Sequence, residues 1–406
     1  MKRIPGSAVA PTVATILLTT TLLGAAPLAE EPPAPRSMDA PAEAAGPAEP
    51  IDPSFVRPSQ QPSTSEAARE PVRRGIDFLL GAQNRNGSWG SGASARVGEV
   101  LADVPGSHHA FRAGTTALCV MALARSPFRQ EDCEEACDRG LTFLLDHCLV
   151  RRPNGMELYN VWAFGYGLRA LAAMLEKTED RERILSVSRD IVKKLEIYQT
   201  PDGGWGYYDF GVGAYHPSDT SMTFTTATIL VALHEIEKKG VAVPRKMLDR
   251  ALKSLRRARK DDGAYIYGSY AQYRPVVGFN QVKGSLGRTQ SCNFALWSYG
   301  ENVTEDDLRA GIENFFRYHR FIDIGRERPM PHEAWYYTSG YYFYYGHYYA
   351  GLVIDRLPEA DRTRWRPQLE KILIERQEPD GSWWDFPLYN YYKAYGTAYA
   401  LLTLVR

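Results

Sequence analysis

Apolar residues recur at helical spacing in six stretches of the chain. Each stretch has an apolar side chain four residues before a shared anchor position, and several extend the stripe to the positions three and seven before it. These apolar side chains are Leu79, Leu144, Leu195, Leu255, Phe315 and Leu373. Such spacing is typical of a helix that buries one face. The pattern predicts six amphipathic helices, each followed by a turn.

A second kind of stretch follows each turn and is apolar on nearly all sides. These stretches cover residues 114–123, 161–171, 223–233, 291–297, 341–352 and 395–402. A helix without a polar face is usually buried. We therefore expect the second helices to form an inner layer and the amphipathic helices an outer one.

The turn itself has the pattern Q-x-x-x-G-x-W in three places. Its residues are Gln83, Gly87 and Trp89, then Gln199, Gly203 and Trp205, then Gln377, Gly381 and Trp383. Glycine adopts the left-handed conformation that ends a helix. The Gln amide is expected to satisfy backbone groups at the helix end, and the Trp ring to pack over the join. We interpret these residues as structural.

Three weaker copies of the turn fill the intervals, with Cys148, Arg259 and His319 at the anchor position. The six anchors lie 51 to 65 residues apart. Self-similarity at a fixed period is the signature of a repeat architecture. The sequence alone therefore predicts a helical repeat array that begins near residue 72.

The first 70 residues have a different composition. Lys2 and Arg3 precede an apolar run over residues 13–26, which resembles a secretory signal and is short for a membrane span. We expect residues 1–26 to be a signal peptide, residues 27–70 a disordered Pro/Ala-rich linker, and residues 71–406 the folded domain. The protein is then exported to the periplasm or the exterior, and only an uncleaved signal would contact a membrane.

Charge and cysteine content limit the partners. The 48 basic and 48 acidic residues balance, so a nucleic-acid partner is not expected, and protein partners stay open. The five cysteines are too few and irregular for a disulfide framework. Cys133, Cys137 and Cys148 leave open one disulfide, a zinc site with a distant His, or buried thiols, which we favour. No metal and no cofactor are predicted.

The repeated Q-x-x-x-G-x-W turn, followed by helices that carry a Thr-Ala pair, resembles the repeats of prenyltransferases and squalene cyclases. The resemblance covers roughly the last 335 residues. It implies an all-α (α/α)6 toroid of six helix-hairpin repeats, in which six inner helices surround a ligand cavity that opens at one end.

The catalytic motifs of that family are not found. Squalene cyclases carry D-x-D-D directly before a Thr-Ala pair, whereas residues 222–225, before Thr226, read Met-Thr-Phe-Thr. Protein prenyltransferases hold zinc with an Asp, a Cys and a later His. Here Gln290 stands where the Asp should precede Cys292, and His347 follows without an acid.

Function is expected in longer insertions, over residues 91–113, 268–287 and 322–334, facing a Tyr-rich wall. The candidate pocket residues are Trp162, Tyr166, Asp219, Thr225, Asn293, Trp335, Tyr341, Tyr344 and Tyr395. Asp219 could instead cap the following helix. His332 and Glu333 are the candidate base and acid. Asp209 and Asp385 are further acids near such a pocket.

Three hypotheses for function remain open. The first is a cyclase-like or prenyltransferase-like toroid that takes a small apolar or aromatic-stacking ligand, such as an isoprenoid, in an aromatic pocket. The second is a non-catalytic binding or scaffold toroid. The third is a polysaccharide-active enzyme, because aromatic walls and paired carboxylates also suit sugars.

Overall fold

The computed structural model describes residues 64–95, 104–209 and 219–405. The predicted signal peptide and nearly all of the predicted linker lie outside these residues. The helices of the described part are α1 Glu66–Gly81, α2 Pro105–Leu123, α3 Gln130–His147, α4 Asn160–Met174, α5 Arg181–Tyr198, α6 Thr223–Glu237, α7 Arg245–Arg257, α8 Leu286–Ser298, α9 Glu305–Arg317, α10 His319–Asp323, α11 Tyr342–Ile354, α12 Glu359–Ile374 and α13 Tyr392–Leu404.

The inner layer consists of α2, α4, α6, α8, α11 and α13, and at least two thirds of the residues of each helix are buried. Each inner helix packs against the next one along the chain, and α13 packs back against α2. The outer helices α1, α3, α5, α7, α9 and α12 cover this ring. The fold is therefore the predicted all-α toroid of six helix hairpins, closed head to tail.

The Gln of each complete turn joins two outer helices. Gln199 Nε2 donates to the carbonyl oxygen of Gly203 in its own turn and to that of Met247 in α7, both at 2.7 Å. Gln83 bonds Gly87 and α3 in the same way. Gln377 reaches Pro71 of α1, at 2.8 Å, and so links the last repeat to the first. The closure of the ring thus uses the same bond as the other two complete turns.

The Trp of each complete turn ties an outer helix to an inner one. Trp205 Nε1 donates to Leu195 O of α5 at 2.8 Å, and its backbone N–H donates to Thr226 Oγ1 of α6 at 3.0 Å. Trp89 with Thr116, and Trp383 with Thr397, repeat the pattern. These Thr residues belong to the Thr-Ala pairs. Gly203 has a φ of 101°, and a Cβ there would lie 2.5 Å from Arg250 O.

The weaker turns replace the Gln by other bonds. Arg259 pairs with Asp307 of α9 through Nη2 and Oδ1, 2.5 Å apart, and so still reaches the next outer helix. His319 turns to the inner layer instead, where its Nε2 lies 3.0 Å from Nε2 of His347 in α11. Burial lowers the pKa of His319 to about 4 and keeps it neutral.

The structure corrects two expectations from the sequence and agrees with a third. Helix α1 begins at Glu66, inside the segment assigned to the linker, because Ser65 caps it by accepting from the N–H of Ala68. Helix α2 begins at Pro105, so residues 105–113 are not loop; Pro suits the first turn of a helix. All five cysteines are buried free thiols, so the disulfide left open is not formed.

Candidate functional site

A cavity of about 610 Å³ lies in the middle of the ring. It is lined by Ala110, Phe111, Gly114, Thr115, Leu118, Asn154, Met156, Glu157, Tyr159, Trp162, Tyr166, Tyr207, Tyr208, Phe224, Tyr267, Tyr270, Pro331, His332, Tyr341, Tyr342, Tyr345, Phe386, Leu388, Tyr395 and Tyr399. Fifteen of these described residues are Phe, Trp or Tyr. Met156 and Tyr270 are exposed and mark the mouth. The lining is therefore largely aromatic.

Every inner helix except α8 lines the cavity, mostly with residues of its N-terminal half. Tyr166, Tyr345 and Tyr399 lie together deeper in the ring, and we call them the floor. The hydroxyls of Tyr166 and Tyr399 bond to each other, and Tyr345 donates to Phe224 O at 3.1 Å. Each floor hydroxyl therefore has a partner within the protein.

Nearer the mouth, three tyrosine hydroxyls gather around an imidazole, and we call Tyr207, Tyr267, Tyr341 and His332 the hydroxyl cluster. The hydroxyl of Tyr341 lies 3.1 Å from His332 Nε2, and that of Tyr267 lies 3.4 Å from the same atom. Tyr207 and Tyr267 bond to each other at 2.8 Å. The loops before α6, α8 and α11 and the ring geometry bring these residues together.

The protein fixes how His332 presents its ring. Nδ1 lies 2.7 Å from the carbonyl oxygen of Tyr337, so Nδ1 carries the proton and Nε2 accepts from the hydroxyls. Burial lowers the pKa of His332 and favours this neutral form. Its φ of 62° is unusual for a residue with a side chain, and Ser339 holds its backbone N–H at 2.8 Å. Strained backbone of this kind is concentrated at functional sites.

Glu157 carries the only carboxylate among the described residues that line the cavity. Its Oε2 accepts from Ser107 Oγ at 2.8 Å and from Asn154 Nδ2 at 2.7 Å. The side chain is 4% exposed. A two-carboxylate arrangement of the glycosidase type therefore has no second acid on the described wall.

Asp385 lies behind the wall. Its Oδ1 accepts from Tyr395 at 2.7 Å, and its Oδ2 accepts from the backbone N–H of Tyr344 in the first turn of α11, at 3.0 Å. Complete burial raises the pKa of Asp385 to about 7, although both hydrogen bonds oppose the shift. Because the carboxyl is used within the protein, its visible role is to position Tyr395.

One buried cation stands beside the hydroxyl cluster. Arg288 of α8 is 2% exposed, and its Cζ lies 5.0 Å from the ring centre of Tyr267 and 5.7 Å from that of Tyr342. Its Nη atoms donate to three backbone carbonyl oxygens, and its Nε has no partner among the described residues. The charge is therefore solvated by carbonyl dipoles rather than by a carboxylate.

The predicted pocket residues fall into three groups. Trp162, Tyr166, Tyr341, Tyr395 and His332 line the cavity. Thr225, Asn293 and Tyr344 are buried in the inner helices but do not line it. Asp219, Glu333 and Trp335 are exposed and also stay outside its lining. His332 and Glu333, proposed as a pair, thus lie in different surroundings, because adjacent residues of this loop face opposite ways.

Sequence reasoning missed several lining residues, among them Glu157, Tyr207, Phe224 and Tyr267. Glu157 and Phe224 lie within three residues of the start of an inner helix, whereas Tyr207 and Tyr267 each lie two residues after the aromatic residue that ends a repeat turn. These two positions were the signals available in the sequence. Phe224 lies in the segment where the resemblance expected an acid, and its ring lines the cavity.

The residues compared with a zinc site are used otherwise. Cys292 Sγ contacts Thr223 O at 3.8 Å, and burial raises the pKa of this thiol to about 12. His347 faces His319. Within residues 64–95, 104–209 and 219–405, no three His, Cys, Asp or Glu side chains are grouped to hold a metal ion. No helix in these ranges is both long and apolar enough to span a bilayer.

Comparison with known proteins agrees with the fold. The family model for the squalene-hopene cyclase C-terminal domain matches residues 57–222. No curated protein sequence matches the chain.

Solved structures match nearly the whole of the described chain. A variant of the type II terpene cyclase MstE from Scytonema, in complex with its product merosterolic acid A, is 15% identical with a TM-score of 0.51, over 83% of this chain and 96% of that one. A protein from Actinoplanes is 17% identical with a TM-score of 0.51, over 84% and 98%.

A third similar structure, a possible member of the GH105 family from Klebsiella pneumoniae subsp. pneumoniae, is 14% identical with a TM-score of 0.53, over 89% of this chain and 98% of that one. At these identities the structures show the fold and no activity. The family match over residues 57–222 and the closed ring of six helix hairpins agree with the resemblance found in the repeats, and the chain has the α-α toroid fold of the terpene cyclases it is similar to.

Proposed function

We propose that the protein binds an apolar, isoprenoid-like molecule in its central cavity. The observation that carries this proposal is the lining, in which aromatic rings predominate, Glu157 is the one described carboxylate, and no described lining residue is Lys or Arg. Ligand pockets usually have volumes of about 300–1,000 Å³, are mostly apolar and contain a few polar groups. The cavity fits that description.

The lining favours this ligand over the two alternatives. A sugar presents hydroxyls on all sides, whereas the floor hydroxyls are already bonded within the protein, and the wall has one described carboxylate. A scaffold needs no internal space, yet about 610 Å³ stays open between the inner helices. Binding is therefore proposed without a catalytic step.

The test is a binding titration with a plugged variant. Gly114 of α2 lines the cavity, and a Cβ there would meet no atom closer than 3.7 Å, so Gly114→Leu places a side chain at the cavity wall. Circular dichroism checks that this variant keeps the fold. Gly81→Leu, at an exposed helix end with no atom within 4 Å, is the matched control. The probe is geranylgeraniol, measured by isothermal titration calorimetry, with maltotriose as the sugar probe.

We expect geranylgeraniol to bind the wild-type protein and Gly81→Leu equally, and Gly114→Leu to lose binding. Maltotriose should not bind any of the three. Binding of maltotriose alone, or binding of geranylgeraniol that Gly114→Leu leaves intact, would contradict the proposal.

Export is a separate proposal, which rests on the N-terminal sequence alone. Its test is cell fractionation of the full chain in its own host, with immunoblotting against the folded domain. Recovery from the periplasm or the medium is expected. Recovery from the cytosol would contradict it.

A further inference from the structure

Two charges of opposite sign lie near the hydroxyl cluster. Arg288 lies behind Tyr267, with its Cζ 5.0 Å from the centre of that ring. Glu157 lies near Tyr207, because the N–H of the next residue, Leu158, donates to the carbonyl oxygen of Tyr207 at 2.8 Å. The carboxylate of Glu157 already accepts hydrogen bonds from Ser107 and Asn154. The positive charge therefore acts at the Tyr267 end of the cluster.

The hydroxyl cluster brings three O–H groups together around one imidazole acceptor. His332 Nε2 has one lone pair in the ring plane, and two hydroxyls point to it. Tyr341 is close enough, at 3.1 Å, for a good hydrogen bond, whereas 3.4 Å is long for Tyr267. Tyr207 and Tyr267 bond to each other through one of their two hydroxyl protons, at 2.8 Å, so the other proton is available to a ligand oxygen placed among these groups.

The buried charge of Arg288 adds a preference for an anion. A buried guanidinium is usually paired with a carboxylate or phosphate, because burying an unpaired charge is costly. Arg288 makes only carbonyl bonds, and its Nε is unpartnered within the described residues. Its positive charge lies directly behind the ring of Tyr267, whose hydroxyl belongs to the cluster. A negative group at the cluster would therefore be attracted by Arg288 and bonded by the tyrosines.

We propose that the Tyr207, Tyr267 and Tyr341 hydroxyls bind the carboxylate of an apolar acid, with Arg288 as the charge behind them. The hydrocarbon chain then lies along the aromatic wall towards the floor. This inference rests on the proposed function and adds the class of the ligand: a long-chain, isoprenoid-like carboxylic acid rather than a hydrocarbon or an alcohol.

The test compares geranylgeranoic acid with geranylgeraniol, which share the chain and differ in the head group. Both are titrated into the full protein at pH 8 by calorimetry. We expect the acid to bind tighter than the alcohol by about tenfold or more, since hydrogen bonds to a charged group are worth about 1.5–3 kcal/mol.

Three variants locate the source of that preference. Tyr267→Phe and Tyr341→Phe keep the rings and remove hydroxyls of the cluster, and each should reduce the acid-over-alcohol ratio by about tenfold. Tyr345→Phe removes a floor hydroxyl that is bonded to Phe224 O, so it should leave the ratio unchanged. Circular dichroism of each variant checks that the fold is intact.

Arg288→Met tests the charge without touching a hydroxyl, and a reduced ratio is expected. If that variant fails to fold, the two Tyr→Phe variants still decide. Equal affinity of wild-type protein for acid and alcohol, or a preference that survives in both Tyr→Phe variants, would overturn the inference and leave the proposed function standing. Absence of binding by either probe would instead remove the proposed function.

Discussion

Tyrosines of the floor and tyrosines of the hydroxyl cluster line the same cavity but have different surroundings. In the floor, Tyr166 and Tyr399 bond to each other, and Tyr345 bonds to a backbone carbonyl of α6. In the cluster, Tyr267 and Tyr341 share one imidazole acceptor. The comparison indicates that the hydroxyls of the floor stabilise the ring, whereas those of the cluster are available to a ligand.

The largest expected difference between the two regions follows from removing a whole ring. Tyr399→Ala should lower the free energy of unfolding by about 3–5 kcal/mol, because the ring is 5% exposed and its loss leaves a cavity. Tyr341→Ala, at a half-buried ring, should cost clearly less. Chemical denaturation measures both, and equal losses would contradict the division into floor and cluster.

A substitution of Asp385 tests how the carboxyl behind the wall affects stability. This carboxyl accepts a hydrogen bond from the hydroxyl of Tyr395, which lines the cavity. Since the pKa of Asp385 is raised to about 7, its neutral form is favoured in the folded state, and stability is lost as the pH rises from about 4 to 7. At pH 8, the free energy of unfolding of Asp385→Asn should therefore exceed that of wild type by on the order of 2–4 kcal/mol, as measured by chemical denaturation. At pH 4 the two proteins should be equally stable.

The bonds at this site can persist in that variant. The Asn side-chain oxygen can accept from Tyr344 N–H while its amide donates to Tyr395, whose proton turns to Phe386 O, 3.1 Å away. A variant that is less stable than wild type at pH 8 would show that the charged carboxylate is needed there.

His332 should make the stability of the protein depend on pH with the opposite sign. Its pKa is lowered in the folded state, so the unfolded chain binds a proton first, and stability falls as the pH drops below about 6.5. His332→Gln should lose less stability than wild type between about pH 6.5 and 5, as measured by urea midpoints. An unchanged slope would mean that His332 binds its proton over the same pH range in the folded and the unfolded chain, which would contradict the lowered pKa.

The smallest effects come from single hydroxyls in the unliganded protein. Tyr345→Phe removes a buried bond to Phe224 O and should cost about 1 kcal/mol of stability. Tyr267→Phe should change stability less, because its contact with His332 is long and its bond to Tyr207 lies at the cavity, where water can replace the lost hydroxyl. Thermal unfolding compares the two, and a larger loss in Tyr267→Phe would place that hydroxyl with the floor.

The sequence predicted the joins between repeats better than the cavity. Gln199, Gly203 and Trp205 act within one turn and its neighbours, so their spacing contains most of the information. The lining of the cavity depends on which face of each inner helix is turned towards the axis of the ring. A helix that is apolar on all sides has no polar face to indicate this. Tyr344 and Tyr345 were therefore indistinguishable in the sequence, although only Tyr345 lines the cavity.

The acid and base residues of the cavity could not be predicted from the sequence, for a related reason. His332 and Glu333 are adjacent, yet His332 takes a left-handed backbone that turns its ring to the wall, and Glu333 is exposed. Glu157 comes to the cavity through Asn154, which accepts from its backbone N–H at 2.8 Å and donates to its carboxylate. Such local turns are set by tertiary packing rather than by periodicity.

The central claim is that the aromatic cavity is a binding site for an apolar molecule, and a crystal structure of the protein grown with geranylgeraniol tests it most directly. The account predicts continuous ligand density between the mouth and the floor, in contact with Trp162 and Phe224. Density confined to the outer surface, or a cavity filled by the protein's own side chains, would contradict it.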